Sequence, residues 1–233
     1  IRDILAGGAA VCAAAGIPIA GGPSIDTLEP IYGLVGLGLV HPERVKRNSH
    51  AQAGAVLILG KPLGVGILSA ALKKGLLSDA GYQEMLRWTT LLNTPGARFA
   101  DMPEVHAMTD VTGFGLAGHL LEICRGSRLA AHLDLAVIPV VPEAAQHLHA
   151  GIATGASARN WAAYGQEVAL SANAAPWQQT LLTDPQTSGG LLVACAPEVA
   201  EAVLAEFHRA GFEQAAVIGR LDAAEVPQIV CKG

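Results

Sequence analysis

Apolar positions along this chain follow two rhythms, and the changes between them divide it into elements. From Asp3 to Ala15 small apolar residues run almost unbroken until Gly16 and Pro18 end the pattern, which predicts a buried helix and then a short strand over Ile17–Ala20. Ile31–Val40 reads as a longer strand with interior glycines. The polar segment from His41 to Asn48 marks a domain boundary, with residues 1–46 before it and 47–233 after it. Beyond the boundary a strand is predicted over Ala55–Leu59 and a helix over Gly64–Lys74. A second helix follows over Ser78–Leu92, with Ser78 as its cap and Leu86 among its apolar positions. Then come a short strand Val105–Met108, a helix Gly113–Cys124, a strand Leu129–Leu135 and a helix Glu143–His149. Residues 151–177 are loop-rich and resist assignment. The chain ends with a strand Gly190–Cys195, a helix Pro197–Ala210 closed by Gly211, and a strand Ala216–Leu221. Strands and helices mix without a steady βαβ beat, so the fold class is α+β, mixed sheets with packed helices.

Composition changes this picture in three ways. Hydrophobic residues make up 51% of the chain and charged ones 15%, against about a quarter charged in an ordinary soluble domain, so part of the surface is expected to lie against a partner. The net charge of −5 offers no basic footprint, which excludes nucleic acid as a partner and leaves any polyanion to be met by metal ions or backbone amides. The uncharged stretch from Ile4 to Pro23 is mostly Ala and Gly, which gain little from lipid, so no membrane span is assigned. Cys12, Cys124, Cys195 and Cys231 form no C-x-x-C and read as buried, reduced thiols of a cytoplasmic protein. His147 and His149 form a lone H-x-H without nearby Cys or paired Asp, too little for zinc.

Three stretches carry candidate chemistry. In Met108–His119 (MTDVTGFGLAGH) a strand delivers Asp110 at its end and a glycine-flanked turn then starts a helix. Free amides at a helix start suit an anion, and a carboxylate beside them suits a hard cation such as Mg²⁺. Asp110 as a plain helix cap explains the same spacing. Gly21-Gly22-Pro23-Ser24 allows close backbone approach to a ligand and adds a hydroxyl, or it is a turn between strands. Leu182–Gly190 (LTDPQTSGG) is a polar loop entering a strand, in which Asp184 is either a functional residue or, with Pro185, a turn starter. Gly64-Val65-Gly66 has Ser69 where a dinucleotide fingerprint needs its third glycine, and neither G-x-x-x-x-G-K-[ST] nor G-x-S-x-G occurs.

The succession AGGPSIDTLEP, ERVKRNSHAQAGA, KPLGVGILSAALKK, MTDVTGFGLAGHLLEI, RNWAAYG and LTDPQTSGGLL is similar to the selenophosphate synthetases (selenide, water dikinases) from end to end. These belong to the aminoimidazole ribonucleotide synthetase-like ATP-binding superfamily. The resemblance implies the C-terminal part of a two-domain fold of that type, with residues 1–46 a remnant of an N-terminal ATP-binding and dimerisation domain. It implies that ATP, selenide and water give selenophosphate, AMP and phosphate, with Mg²⁺ as cofactor and ATP as substrate. By motif position Asp110 matches the family's C-domain magnesium ligand, a clamp between domains, and Gly22, Pro23 and Ser24 match the loop that contacts ATP and is shared with a dimer partner. Many relatives carry His where this chain has Pro23. The family's catalytic Cys or selenocysteine and its Lys lie in an N-terminal segment that these residues do not contain, so the chain reads as N-terminally truncated and inactive alone, with no catalytic residue of its own. A homodimer in the cytoplasm is the implied state. The alternatives are a non-catalytic dimerisation or binding module, or another small-molecule kinase or ligase of the superfamily.

Overall fold

The computed structural model describes residues 1–232 and divides into two compact units, Ile1–Arg44 and Val45–Gly233. The first unit holds one helix, α1 (Arg2–Ala14), and then irregular chain. Neither Ile17–Ala20 nor Ile31–Val40 forms a strand, contrary to the expectation from their apolar residues. A strand is completed by a neighbour's backbone groups, and nothing in the described residues pairs with these two stretches. Helix α1 is not buried either: of its residues only Cys12 is, because so short a unit has no core to cover the rest. Leu28, Val35, Leu37 and Leu39 stand almost fully exposed.

The second unit is built on a seven-stranded sheet among the described residues. Its strands are β1 (Val56–Leu59), β2 (Val105–Asp110), β3 (Leu129–Asp134), β4 (Val168–Ala169), β5 (Leu191–Cys195), β6 (Ala216–Ala223) and β7 (Gln228–Lys232), in the order β2-β5-β1-β6-β3-β7-β4. Pairs are antiparallel except β3/β7 and β4/β7, so the sheet is mixed. The helices are α2 (Val65–Lys73), α3 (Asp79–Thr90), α4 (Pro95–Phe99), α5 (Gly115–Ser127), α6 (Pro142–His149), α7 (Gly155–Tyr164), α8 (Pro176–Thr183) and α9 (Ala200–Arg209).

Period-two alternation sorts the central strands onto two cores. Leu57, Leu59, Leu192 and Ala194 join Ile67, Leu68, Leu116 and Leu120 in the larger cluster, under α2 and α5. Ile58, Val193 and Cys195 face the other way, onto Phe99, Phe207 and Phe212, whose rings meet edge to face at 5.0 and 5.5 Å. Ser78 caps α3 as its position implied, its Oγ accepting from the Gly81 N–H at 3.0 Å. The buried face of α3 is set by Trp88, while Leu86 is left exposed. All four cysteines are free and buried. Among the described residues no helix is long and apolar enough to cross a membrane.

Candidate functional site

Two of the three stretches singled out in the sequence come together at the end of β2. Asp110 pairs with Leu191 of β5 as the last residue of its strand. Past it the chains stay locked: the Val111 N–H donates to Gly190 O at 2.9 Å and the Gln186 N–H to Thr112 O at 3.0 Å. Glycine makes this approach possible. A Cβ on Gly189 would lie 1.9 Å from Val111 O, and one on Gly115, at φ +69°, would lie 2.7 Å from Thr183 C. Helix α7 fastens both strands of the interlock. Asn160 Nδ2 donates to Gly113 O at 2.9 Å and to Thr183 O at 3.0 Å, and the Tyr164 hydroxyl donates to Phe114 O. Burial pushes the Tyr164 phenol up to about 12, so it remains a donor at neutral pH.

The same loop caps α2 from outside that helix. Gln186 Oε1 accepts from the Gly64 and Val65 N–H groups at 3.2 Å each, and Asp184 Oδ2 accepts from the Ile67 N–H at 3.4 Å. Gln186 Nε2 in turn donates to Asp184 O and Oδ2 at 2.8 and 2.9 Å. Asp184 is fully buried, and its Oδ1 has no partner. Burial raises its carboxyl to about 7, against the opposing pull of Gln186 and the α2 amides. Because the unfolded chain ionises this group near the ordinary 3.8, the folded state binds the extra proton between about pH 4 and 7. The contribution of Asp184 is therefore fully present below that window and lost as pH rises through it, by up to about 1.4 kcal/mol per pH unit. Asp184→Asn is expected to remove this slope. Denaturation of both proteins across pH 4–8 checks it, and parallel pH profiles would contradict it.

Lys61 anchors the loop from below. Although charged, it is 2% exposed, and its Nζ donates to Trp88 O at 2.9 Å, Leu91 O at 2.7 Å and Ser188 O at 2.7 Å. Desolvation lowers its pKa to about 8. Asn93 Nδ2 adds a bond to Gly189 O at 2.8 Å.

Against this fixed background Asp110 stands exposed at the strand end, its carboxylate without a hydrogen bond or ion pair among the described residues. It is not the cap of α5, since Phe114 occupies that position and no side chain caps the helix. An unpartnered carboxylate on a rigid strand end fits a hard cation such as Mg²⁺. No group of three or more His, Cys, Asp or Glu that could hold a metal ion lies together among the described residues. Gly22, Pro23 and Ser24 lie in the first unit, in an exposed irregular stretch. Nothing in the sequence singled out Lys61, Asn160 or Tyr164, and the role of Asp184 stayed open between function and a turn. The one usable signal was the buried stripe of α7, Ser157, Asn160 and Tyr164, which has helical spacing but is polar.

Residues 52–232 match the family model described as AIR synthase related protein, C-terminal domain. Three curated relatives, each named selenide, water dikinase, are close in sequence. The protein of Burkholderia ambifaria (strain MC40-6) is 60% identical over 221 residues, 95% of this chain and 62% of its own length. That of Pseudomonas straminea is 59% identical over 96% of this chain and 62% of its own, and that of Rhizobium meliloti (strain 1021) 54% identical over 94% and 63%. The chain thus spans less than two thirds of the length of these relatives. Among solved structures, hydrogenase maturation protein HypE aligns with a TM-score of 0.55 at 20% identity, covering 83% of this chain and 53% of that one. Thiamine-monophosphate kinase from Stenotrophomonas maltophilia K279a aligns with a TM-score of 0.56 at 19% identity, covering 83% and 55%. These two share the fold. With the family match running through almost the whole second unit, the chain belongs to the AIR synthase related proteins and carries their C-terminal domain.

Proposed function

We propose that the chain serves as the C-terminal part of a selenide, water dikinase, in which ATP, selenide and water give selenophosphate, AMP and phosphate. The observation that carries this reading is the interlock itself: the two loops most characteristic of these enzymes are pinned together so that Asp110 projects, unpaired, from a strand end. The name shared by relatives up to 60% identical over nearly the whole chain supports the same reading. Mg²⁺, when bound, would neutralise phosphate charge and fix the geometry of transfer. Asp110 would hold it from the C-terminal side, and the backbone of Val111 and Thr112, tied to Gly190 and Gln186, would keep that carboxylate in place. In the first unit, the Gly22 and Ser24 amides and the Ser24 hydroxyl would meet ATP, Pro23 having no N–H to give.

Three of the four cysteines are poor candidates for the nucleophile of this chemistry. Burial pushes the thiols of Cys124, Cys195 and Cys231 up to about 12, 11 and 12, where thiolate is scarce at neutral pH. The 233 residues alone are therefore expected to release no AMP. Joined behind the N-terminal part of the Burkholderia ambifaria protein, they are expected to sediment as a homodimer and to release AMP only when selenide is supplied. AMP release that ignores selenide, or ADP as the product, would point to another kinase of the superfamily.

A further inference from the structure

Beside Asp110 runs a hydrogen-bonded chain that neither the fold nor the reading above uses. Thr112 Oγ1 lies 3.1 Å from His119 Nε2, and His119 Nδ1 lies 3.4 Å from Glu122 Oε2. His119 is 8% exposed, and the Phe114 ring covers it at 5.7 Å between centroids. A carboxylate can only accept, so Glu122 requires the proton on Nδ1 of the neutral ring. Nε2 is then the acceptor, and the Thr112 hydroxyl must donate to it. A hydroxyl has one proton and two lone pairs. With the proton committed to His119, both lone pairs of Thr112 Oγ1 remain open, since no other hydrogen bond among the described residues uses them.

Val111 is fully buried, with its N–H on Gly190 O, while Asp110 before it is exposed and Thr112 after it is partly exposed. The Thr112 backbone is also held: its carbonyl accepts from both the Gln186 and the Gly115 N–H at 3.0 Å. We propose that Thr112 Oγ1 is a second oxygen ligand to the divalent cation held by Asp110, with His119 and Glu122 as positioning residues that aim its lone pairs. This rests on the reading of Asp110 as a cation ligand. The arrangement is the usual one in which an outer partner fixes the hydrogen-bonding state of a ligand.

The test uses Mn²⁺ as the probe and NMR of the 233-residue chain as the readout, without turnover. In the wild type, Mn²⁺ is expected to broaden the amides of residues 110–113 and the Thr112 methyl, and the His119 ¹⁵N shifts to report the Nδ1–H form. Thr112→Val is expected to weaken Mn²⁺ binding about tenfold, His119→Gln by a similar factor, and Thr112→Ser to keep it near wild type. Asp110→Asn is expected to abolish it. Wild-type affinity in Thr112→Val, with binding lost in Asp110→Asn, would overturn this proposal and leave Asp110 a ligand. Binding that survives Asp110→Asn, or no broadening in the wild type, would overturn both. Where Thr112→Val fails to fold, the ring decides: an Nε2–H form of His119 would contradict the hydrogen-bond direction on which the proposal stands, and an Nδ1–H form with retained binding in Thr112→Ser would support it.

Discussion

Asp110→Asn, made in the chain joined behind the N-terminal part of a relative, is expected to lower turnover by a factor of about a hundred or more while leaving the melting temperature almost unchanged. The substitution keeps size and shape and removes one charge. Nothing in the fold depends on that charge, because the carboxylate is exposed and unpartnered among the described residues and α5 starts at Phe114 without its help. A cation that balances phosphate charge does depend on it, and such stabilisation is worth several kcal/mol to phosphoryl transfer. Each ~1.4 kcal/mol lost is a tenfold loss of rate. Partial recovery at high Mg²⁺ is expected in a titration of activity against the ion. Near-normal turnover with a lowered melting temperature would show that Asp110 is a structural residue.

Lys61→Met is expected to have the largest effect on stability. Methionine fills much of the same space but leaves the Trp88, Leu91 and Ser188 carbonyls without their donor, in a place where Lys61 is 2% exposed. Unsatisfied buried acceptors cost about 1–3 kcal/mol each, so about 3 kcal/mol or more is expected to be lost. For a unit of this size that corresponds to a fall in melting temperature on the order of 10 °C. Lys61→Arg is expected to rescue poorly, since a planar fork cannot serve three carbonyls gathered around one nitrogen. Thermal melts of the three proteins check this, and a Lys61→Met melt within a degree or two of wild type would contradict it.

Much of the second unit was legible in the sequence because its elements bury ordinary apolar patterns. Leu57 and Leu59 against Ile58, and Leu192 and Ala194 against Val193, alternate as strands covered on both sides should. What escaped notice has a common cause. The buried face of α7 is Ser157, Asn160 and Tyr164, polar residues held by hydrogen bonds to loop carbonyls, so hydropathy gives it no periodicity. β7 earns its place by pairing with β3, about a hundred residues earlier in the chain, through Ile229 and Cys231. The opposite error occurred in the first unit, where Ile31–Val40 has strand-like residues and no described neighbour to pair with.

The candidate site divides in the same way. Asp110 was readable from a strand end followed by Thr112-Gly113-Phe114-Gly115. That Gly189 and Gly190 serve to press a second loop against it depends on contacts between residues nearly eighty positions apart, which no local pattern carries. A lone lysine between Gly60 and Pro62 gives no sign that it is buried.

If, as proposed, this domain works in forming a phosphorus–selenium bond, the bond itself can be observed. Supplied with ATP, Mg²⁺ and ⁷⁷Se-labelled selenide, the chain joined to a relative's N-terminal part is expected to give a ³¹P resonance split by coupling to ⁷⁷Se, and Asp110→Asn to give almost none. A ³¹P spectrum with ATP consumed and no selenium-coupled resonance would contradict the account.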